Sequence, residues 1–150
     1  MTAQSPKHGR LIVIEGIDGT GKTTLATALA EALRTRGDEV IQSFEPTKGK
    51  YGLQVRALAT EGREGTTAEQ EAELFRKDRE EHVRETILPA LEGDKTVILD
   101  RYFYSTMAYQ GARGLDPVKI LEANLKFAPL PNLLILLDLP VDEALERIVK

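Results

Sequence analysis

The stretch Leu11-Ile12-Val13-Ile14-Glu15-Gly16-Ile17-Asp18-Gly19-Thr20-Gly21-Lys22-Thr23-Thr24-Leu25 decides the fold. An apolar run of strand character leads into closely spaced glycines. Beyond them Leu25, Ala28, Leu29, Ala32 and Leu33 recur at helical spacing, with Gly37 as a C-terminal cap. Gly16 to Thr23 match G-x-x-x-x-G-K-[ST], and a preceding strand and a following helix are the context in which that pattern carries chemistry. Gly16, Gly19 and Gly21 let the backbone curl and turn its N–H groups toward phosphate oxygens. The helix beyond adds the positive end of its dipole. Lys22 can reach β- and γ-phosphates, and the Thr23 hydroxyl can ligate Mg²⁺. Ile17, Asp18, Thr20 and Thr24 complete the candidate phosphate-binding set. The plainer alternative is a glycine-rich turn whose lysine is merely solvated.

Working outward, three more apolar runs have strand character: Val40–Phe44, Thr96–Leu99 and Leu133–Leu137. All are nearly continuous rather than alternating, which predicts parallel strands covered on both faces. Helical patterns separate them. Thr67 with Gln70 forms a capping box for a long helix through Phe75, Val83, Ile87 and Leu91, which Pro89 kinks or ends. Asp116-Pro117 starts another. A last helix opens after Pro140 and runs through Ala144, Leu145 and Ile148. The expected fold is α/β: a P-loop NTPase-type parallel sheet with helices on both faces, in three layers.

The chain has 150 residues, 41% hydrophobic and 29% charged, which suits one folded domain. Residues 1–9 read as a flexible N-terminus and 10–150 as the domain. The final helix is still in progress at Lys150, so a further strand is expected beyond it. With 20 Lys+Arg against 24 Asp+Glu the net charge is −4, unlike a module that grips a nucleic acid polymer. The absence of cysteine excludes disulfides and thiolate chemistry. No apolar run is long enough to cross a bilayer, and no secretory leader is present, so a cytoplasmic location is expected.

A phosphate loop alone does not separate kinases, GTPases and binding modules. No N-K-x-D guanine-reading motif is present. Asp100-Arg101-Tyr102 closes the third strand, where α/β sheets place ligand groups. There Asp100 can orient Mg²⁺ and Arg101 can fork onto a phosphate; a structural ion pair at Asp100 is the other reading.

The run Ile14 to Thr24 resembles the opening of thymidylate kinases. So do Glu45-Pro46-Thr47, Leu74-Phe75-Arg76-Lys77-Asp78-Arg79, Asp100-Arg101-Tyr102, Ser105-Thr106, Ala108-Tyr109-Gln110-Gly111 and Leu137-Asp138-Leu139-Pro140 with Ala144 and Arg147. The resemblance spans residues 10–150. It implies transfer of the ATP γ-phosphoryl group to dTMP, with Mg²⁺ as cofactor and a homodimer as the usual assembly. Lys22, Asp100 and Arg101 would be catalytic, with Thr23 and Asp100 beside the metal. Asp18 would face the sugar 3′-OH. Phe75 would stack on the pyrimidine and Arg79 donate to a base carbonyl, the two being i,i+4 on one helix face. Core packing for Phe75 and a solvated face for Arg79 are the alternatives. Arg101 and Arg56 would hold the acceptor phosphate, with Glu45, Pro46, Ser105, Thr106, Tyr109 and Gln110 around the nucleoside. Arg147 would lie against adenine. Glu45-Pro46-Thr47-Lys48-Gly49 departs from the Glu-Pro-Gly-Gly form common in bacterial members. An arginine-bearing lid is expected to follow Arg147. Two alternatives stand beside the thymidylate kinase reading: a related deoxynucleoside monophosphate kinase with another base preference, and a non-catalytic nucleotide-binding fragment.

Overall fold

Alternate residues of the central strands go to opposite sides of one sheet, and that division organises the core. In a computed structural model describing residues 9–149, the first strand is β1 (Arg10–Glu15) and the third is β3 (Thr96–Asp100). Leu11, Val13, Val97 and Leu99 are fully buried in one cluster, while Ile14 and Ile98 belong to the other, with Ile12 packed against it. The period of two puts an aliphatic side chain on each face at every step.

One cluster is covered by α1 (Lys22–Thr35) through Ala26, Ala30, Leu25, Leu29 and Leu33. Ala28 and Ala32, expected on this face, are exposed. The face is rotated so that Ala26 and Ala30, the small residues, are the fully buried ones. Helix α1 ends in a Schellman arrangement: Gly37 N–H donates to Arg34 O (2.9 Å) and Asp38 N–H to Leu33 O (3.1 Å), with Gly37 at φ 95°.

The second strand, β2 (Val40–Phe44), pairs with β3, β3 with β1, and β1 with β4 (Leu133–Leu136), all in parallel, giving the order β2-β3-β1-β4. The expectation that all four are covered on both faces fails at the two outer strands: in β2 only Val40 is buried, with Gln42 and Phe44 exposed, and β4 is more open still. Leu133, Leu134 and Leu136 are 51%, 41% and 70% exposed because β4 is an edge among the described residues. The remaining helices are α2 (Lys50–Glu61), α3 (Ala68–His82), α4 (Leu88–Glu92), α5 (Phe103–Ala112), α6 (Pro117–Leu125) and α7 (Val141–Val149). Thr67 and Gln70 form the expected capping box of α3, and Asp116 caps α6 by accepting from Val118 N–H (2.9 Å).

The long helix predicted from Thr67 to Leu91 is interrupted. A π-helical turn, Val83–Ile87, separates α3 from α4, and Pro89 sits in the first turn of α4. Inside a regular helix Pro89 would lack its hydrogen bond and clash with the carbonyl four residues earlier, and the wider turn relieves both. Residues 1–8 lie outside the described part. Gly9, placed with them as flexible, packs on Leu91: a Cβ there would come within 2.4 Å of the Leu91 carbonyl oxygen.

Candidate functional site: two joined cavities at the carboxyl ends of β1 and β3

Register pairs Ile14 with Asp100, so the chain leaves β1 and β3 side by side. The first exit leads into α1 on one face of the sheet. The second leads into α5, whose Phe103 lies in the core of the other face. The crevice between diverging exits is where such sheets hold ligands.

The glycine loop fills the first exit. Gly21 caps α1 at φ 91° with no side-chain cap, and no acidic residue stands in the first helical turn, which leaves the amino-terminal N–H groups directed at the crevice. Gly19 is needed because α7 lies against it: a Cβ would fall 2.4 Å from the Ala144 carbonyl oxygen. Lys22 is 7% exposed and its Nζ donates to Ile17 O (2.9 Å). Burial and the Arg101 guanidinium push its ammonium below the ordinary value, opposed by Asp100, Asp18 and Glu15. Thr23 Oγ1 donates to Asp100 Oδ2 (2.6 Å), which brings the two expected metal neighbours together. A cavity of about 230 Å³ is lined by Lys22, Thr23, Thr24, Asp100, Asp18 and Arg101, with Gly19 and Gly21.

Arg101 has φ 74°, a strained conformation for a residue with a side chain and one that tends to gather at functional sites. The turn is anchored from below. Glu15, buried at the end of β1, accepts from Tyr102 N–H and from Ser105 Oγ, each at 2.6 Å. Burial raises its carboxyl above the usual range, against the pull of those two bonds and of Arg101. The Arg101 guanidinium pairs with Asp18, donates to Ser105 Oγ (3.1 Å) and lies 5.5 Å over the Tyr109 ring.

Asp18 and Arg101 also line a second, larger cavity of about 580 Å³. Its other walls include the predicted Pro46, Arg56, Phe75, Ser105, Tyr109 and Gln110. Gln110 is 2% exposed, and its Oε1 has no hydrogen-bond partner among the described residues.

A family model for thymidylate kinase matches residues 14–150. The chain belongs to the thymidylate kinase family. It is 52% identical to the thymidylate kinase of Akkermansia muciniphila over 148 residues, covering 99% of this chain and 71% of that one. With the thymidylate kinase of Desulfotalea psychrophila it shares 50% over 144 residues, covering 96% of this chain and 70% of the relative. The crystal structure of the thymidylate kinase from Ehrlichia chaffeensis superposes with a TM-score of 0.81 at 33% identity, over 94% of this chain and 82% of that one.

Not every residue that resemblance to thymidylate kinases pointed to lies on a cavity wall. Arg79 is 1% exposed and held from three sides: Nε donates to Glu45 (2.7 Å), Nη1 to Asn124 Oδ1 (2.8 Å) and Nη2 to Thr106 Oγ1 (3.2 Å). Arg79, Thr106 and Glu45 therefore form a buried network behind the wall that Phe75 lines. Arg147 stands on α7 outside both cavities, Nη1 3.5 Å from Gly19 O.

Helix α3 anchors the Glu45-Pro46-Thr47 segment in place of the more usual glycines. Asp78 accepts from Thr47 N–H (2.8 Å) and Thr47 Oγ1 (2.5 Å), and His82 Nδ1 lies 2.9 Å from Glu45. Arg56 Nη2 donates to Pro46 O, which bends that side chain back onto the same loop. A Cβ at Gly52 would fall 2.0 Å from the Thr47 carbonyl oxygen, so α2 closes on the loop only with glycine there. Sequence reasoning passed over Glu15, Asp78, His82 and Asn124 as functional positions; Asp78 lay inside a quoted motif, but its partner Thr47 is 31 residues away.

Glu45 links this network to pH. Burial would raise its carboxyl, but the Arg79 charge and the His82 hydrogen bond outweigh it, and the net shift is below the ordinary value of 4.5. A carboxyl depressed in the folded state contributes stability above pH ~4.5 and loses it as pH falls toward the folded value. The melting temperature is expected to drop as the solution is acidified below that pH. Glu45→Gln is expected to melt lower at pH 7 and to show a shallower acid slope. Parallel slopes for the two proteins would refute the assignment.

Proposed function

We propose that the chain transfers the γ-phosphoryl group of ATP to dTMP, giving ADP and dTDP. The observation that carries this reading is the joining of the two cavities: Asp18 and Arg101 stand on both walls, where a donor phosphate in one meets an acceptor in the other. A 5′-phosphate oxygen of dTMP attacks the γ-phosphorus while the bond to the β-phosphate oxygen breaks. The acceptor oxygen is already anionic, so the protein's work is positioning and neutralising charge. Lys22 and the loop N–H groups hold the donor phosphates, and Arg101 orients the acceptor phosphate. Thr23 and Asp100 offer the oxygen donors that suit Mg²⁺, which takes one or two protein groups and completes its shell with phosphates and water. Held there, Mg²⁺ would supply positive charge against the transferring phosphates. Among the described residues no cluster of three His, Asp or Glu side chains forms a metal cage, and no helix is long and apolar enough to cross a membrane. The homodimer belongs to this proposal on the resemblance alone, and the cytoplasmic setting is carried over from the sequence reading.

Base choice is read through Gln110. An orphaned buried acceptor costs about 1–3 kcal/mol until a donor arrives, and thymine supplies one at N3–H. Phe75 offers a ring for stacking in the same cavity. Gln110→Leu removes the orphan without opening a void. It is expected to fold normally, to raise the dTMP KM by about tenfold or more, and to narrow the preference for dTMP over dCMP. The KM for ATP should hold. Equal changes for both nucleotides, or unchanged discrimination, would remove Gln110 from the site.

A further inference from the structure

Three charged side chains meet at the end of the larger cavity remote from the phosphate loop. Glu71, 2% exposed in the first turns of α3, accepts from Arg63 Nε through both oxygens (3.1 and 3.0 Å) and pairs with Arg113. All three line the cavity. Ser105, Tyr109 and Arg113 follow at four-residue spacing along α5 and its cap, so Arg113 lies about 12 Å from the Ser105 end that Arg101 touches.

The arrangement joins three separate pieces of chain. Glu71 stands near the positive end of α3 and Arg113 at the negative end of α5, where each charge is favoured. Arg63 comes from the α2–α3 connection, between Gly62 at φ 98° and Gly65 at φ 78°. Arg113 also donates to Thr66 O in that connection (3.4 Å). Stability alone is a weak reason for such a triad, because apolar residues of similar volume commonly do as well or better in its place. What ion pairs of fixed geometry supply is a fixed distance. Phe75 is one turn along α3 from Glu71, and Gln110 is one turn back along α5 from Arg113. Both line the cavity, one on each of the two helices that the clasp joins.

We propose that Arg63, Glu71 and Arg113 are specificity-determining positioning residues that hold the Phe75–Gln110 slot at the width of a pyrimidine and thereby exclude purine nucleotides. This rests on reading the larger cavity as the dTMP site.

Calorimetric titration of the chain with dTMP, dGMP and ATP, alongside thermal melting, tests it. Arg63→Ala is the first variant, since Arg63 is half-exposed on a connection and its loss spares the core. Arg113→Ala is the second. Each is expected to weaken dTMP about tenfold, the scale of one lost charge-assisted hydrogen bond. Each should also reduce the dTMP-over-dGMP preference and leave ATP affinity within about twofold. A lowered melting temperature with an unchanged dTMP:dGMP ratio in both variants would overturn the proposal and leave the clasp a structural stitch. Failure of the parent chain to bind dTMP while it binds ATP would overturn the cavity assignment itself, and the clasp proposal with it.

Discussion

Lys22→Ala is expected to lower kcat for phosphoryl transfer by about a hundredfold or more while the protein keeps its fold. Removing one preorganised donor from a developing charge costs that much in comparable sites. Among the described residues the ammonium reaches a single hydrogen-bond acceptor, Ile17 O, and the core cluster beside it is built from Ala26, Ala30 and their neighbours instead. Alanine is a strong helix former and Lys22 is the first residue of α1, so the helix itself does not oppose the change. ADP release measured with saturating dTMP, next to a melting curve, reads both halves. Undiminished turnover in a folded variant would remove the glycine loop from the reaction.

Arg101→Gly should separate activity from stability in the opposite sense. Arg101 stands on both cavity walls, and its guanidinium is shared among Asp18, Ser105 and Tyr109. Losing it is expected to cut kcat/KM for dTMP by about 10³, the lower end of what an arginine at a transferring phosphoryl group supplies. Yet φ 74° is a conformation that only glycine adopts freely, and the strain is of order 1 kcal/mol or more. The pair with Asp18, itself 76% exposed, adds little stability to set against that. The melting temperature should hold or rise. A clear fall in melting temperature with unchanged dTMP kinetics would show Arg101 to be structural.

Local signals carried most of the fold. The four strands are largely apolar runs and fall within one residue of their expected limits, and in β1 and β3 burial on a parallel sheet leaves little choice of residue. Thr67, Gln70 and Asp116 declare their helix starts through bonds to backbone two or three residues away. Phe75 was placed at the site by the resemblance to thymidylate kinases; the four-residue spacing that links it to Arg79 did not bring both to the cavity wall. What stayed hidden depends on distant pairing. Glu15 acquires its role from Tyr102 and Ser105, 87 and 90 residues on, and Asn124 from Arg79, 45 residues back. The Arg63–Glu71–Arg113 clasp looks like ordinary surface charge until α3 and α5 are packed. The outer position of β2 stayed hidden for the same reason, since an apolar run does not announce whether it will be central or at an edge.

The π-turn Val83–Ile87 has a consequence for chain length. Glu71, Phe75, Asp78, Arg79 and His82 form one stripe at helical spacing, and Ile87 and Ala90 continue it toward the sheet only because the wide turn absorbs a residue. With roughly 100° of rotation per residue, an uninterrupted helix would swing that continuation off the core. The same stripe would be met by a regular helix one residue shorter, provided Pro89 were replaced by a residue with an N–H. The segment is thus a spliced lever. Its upstream half can vary with the cavity and its downstream half with the sheet, with one surplus residue at the exposed Arg84–Glu85 corner taking up the difference in phase.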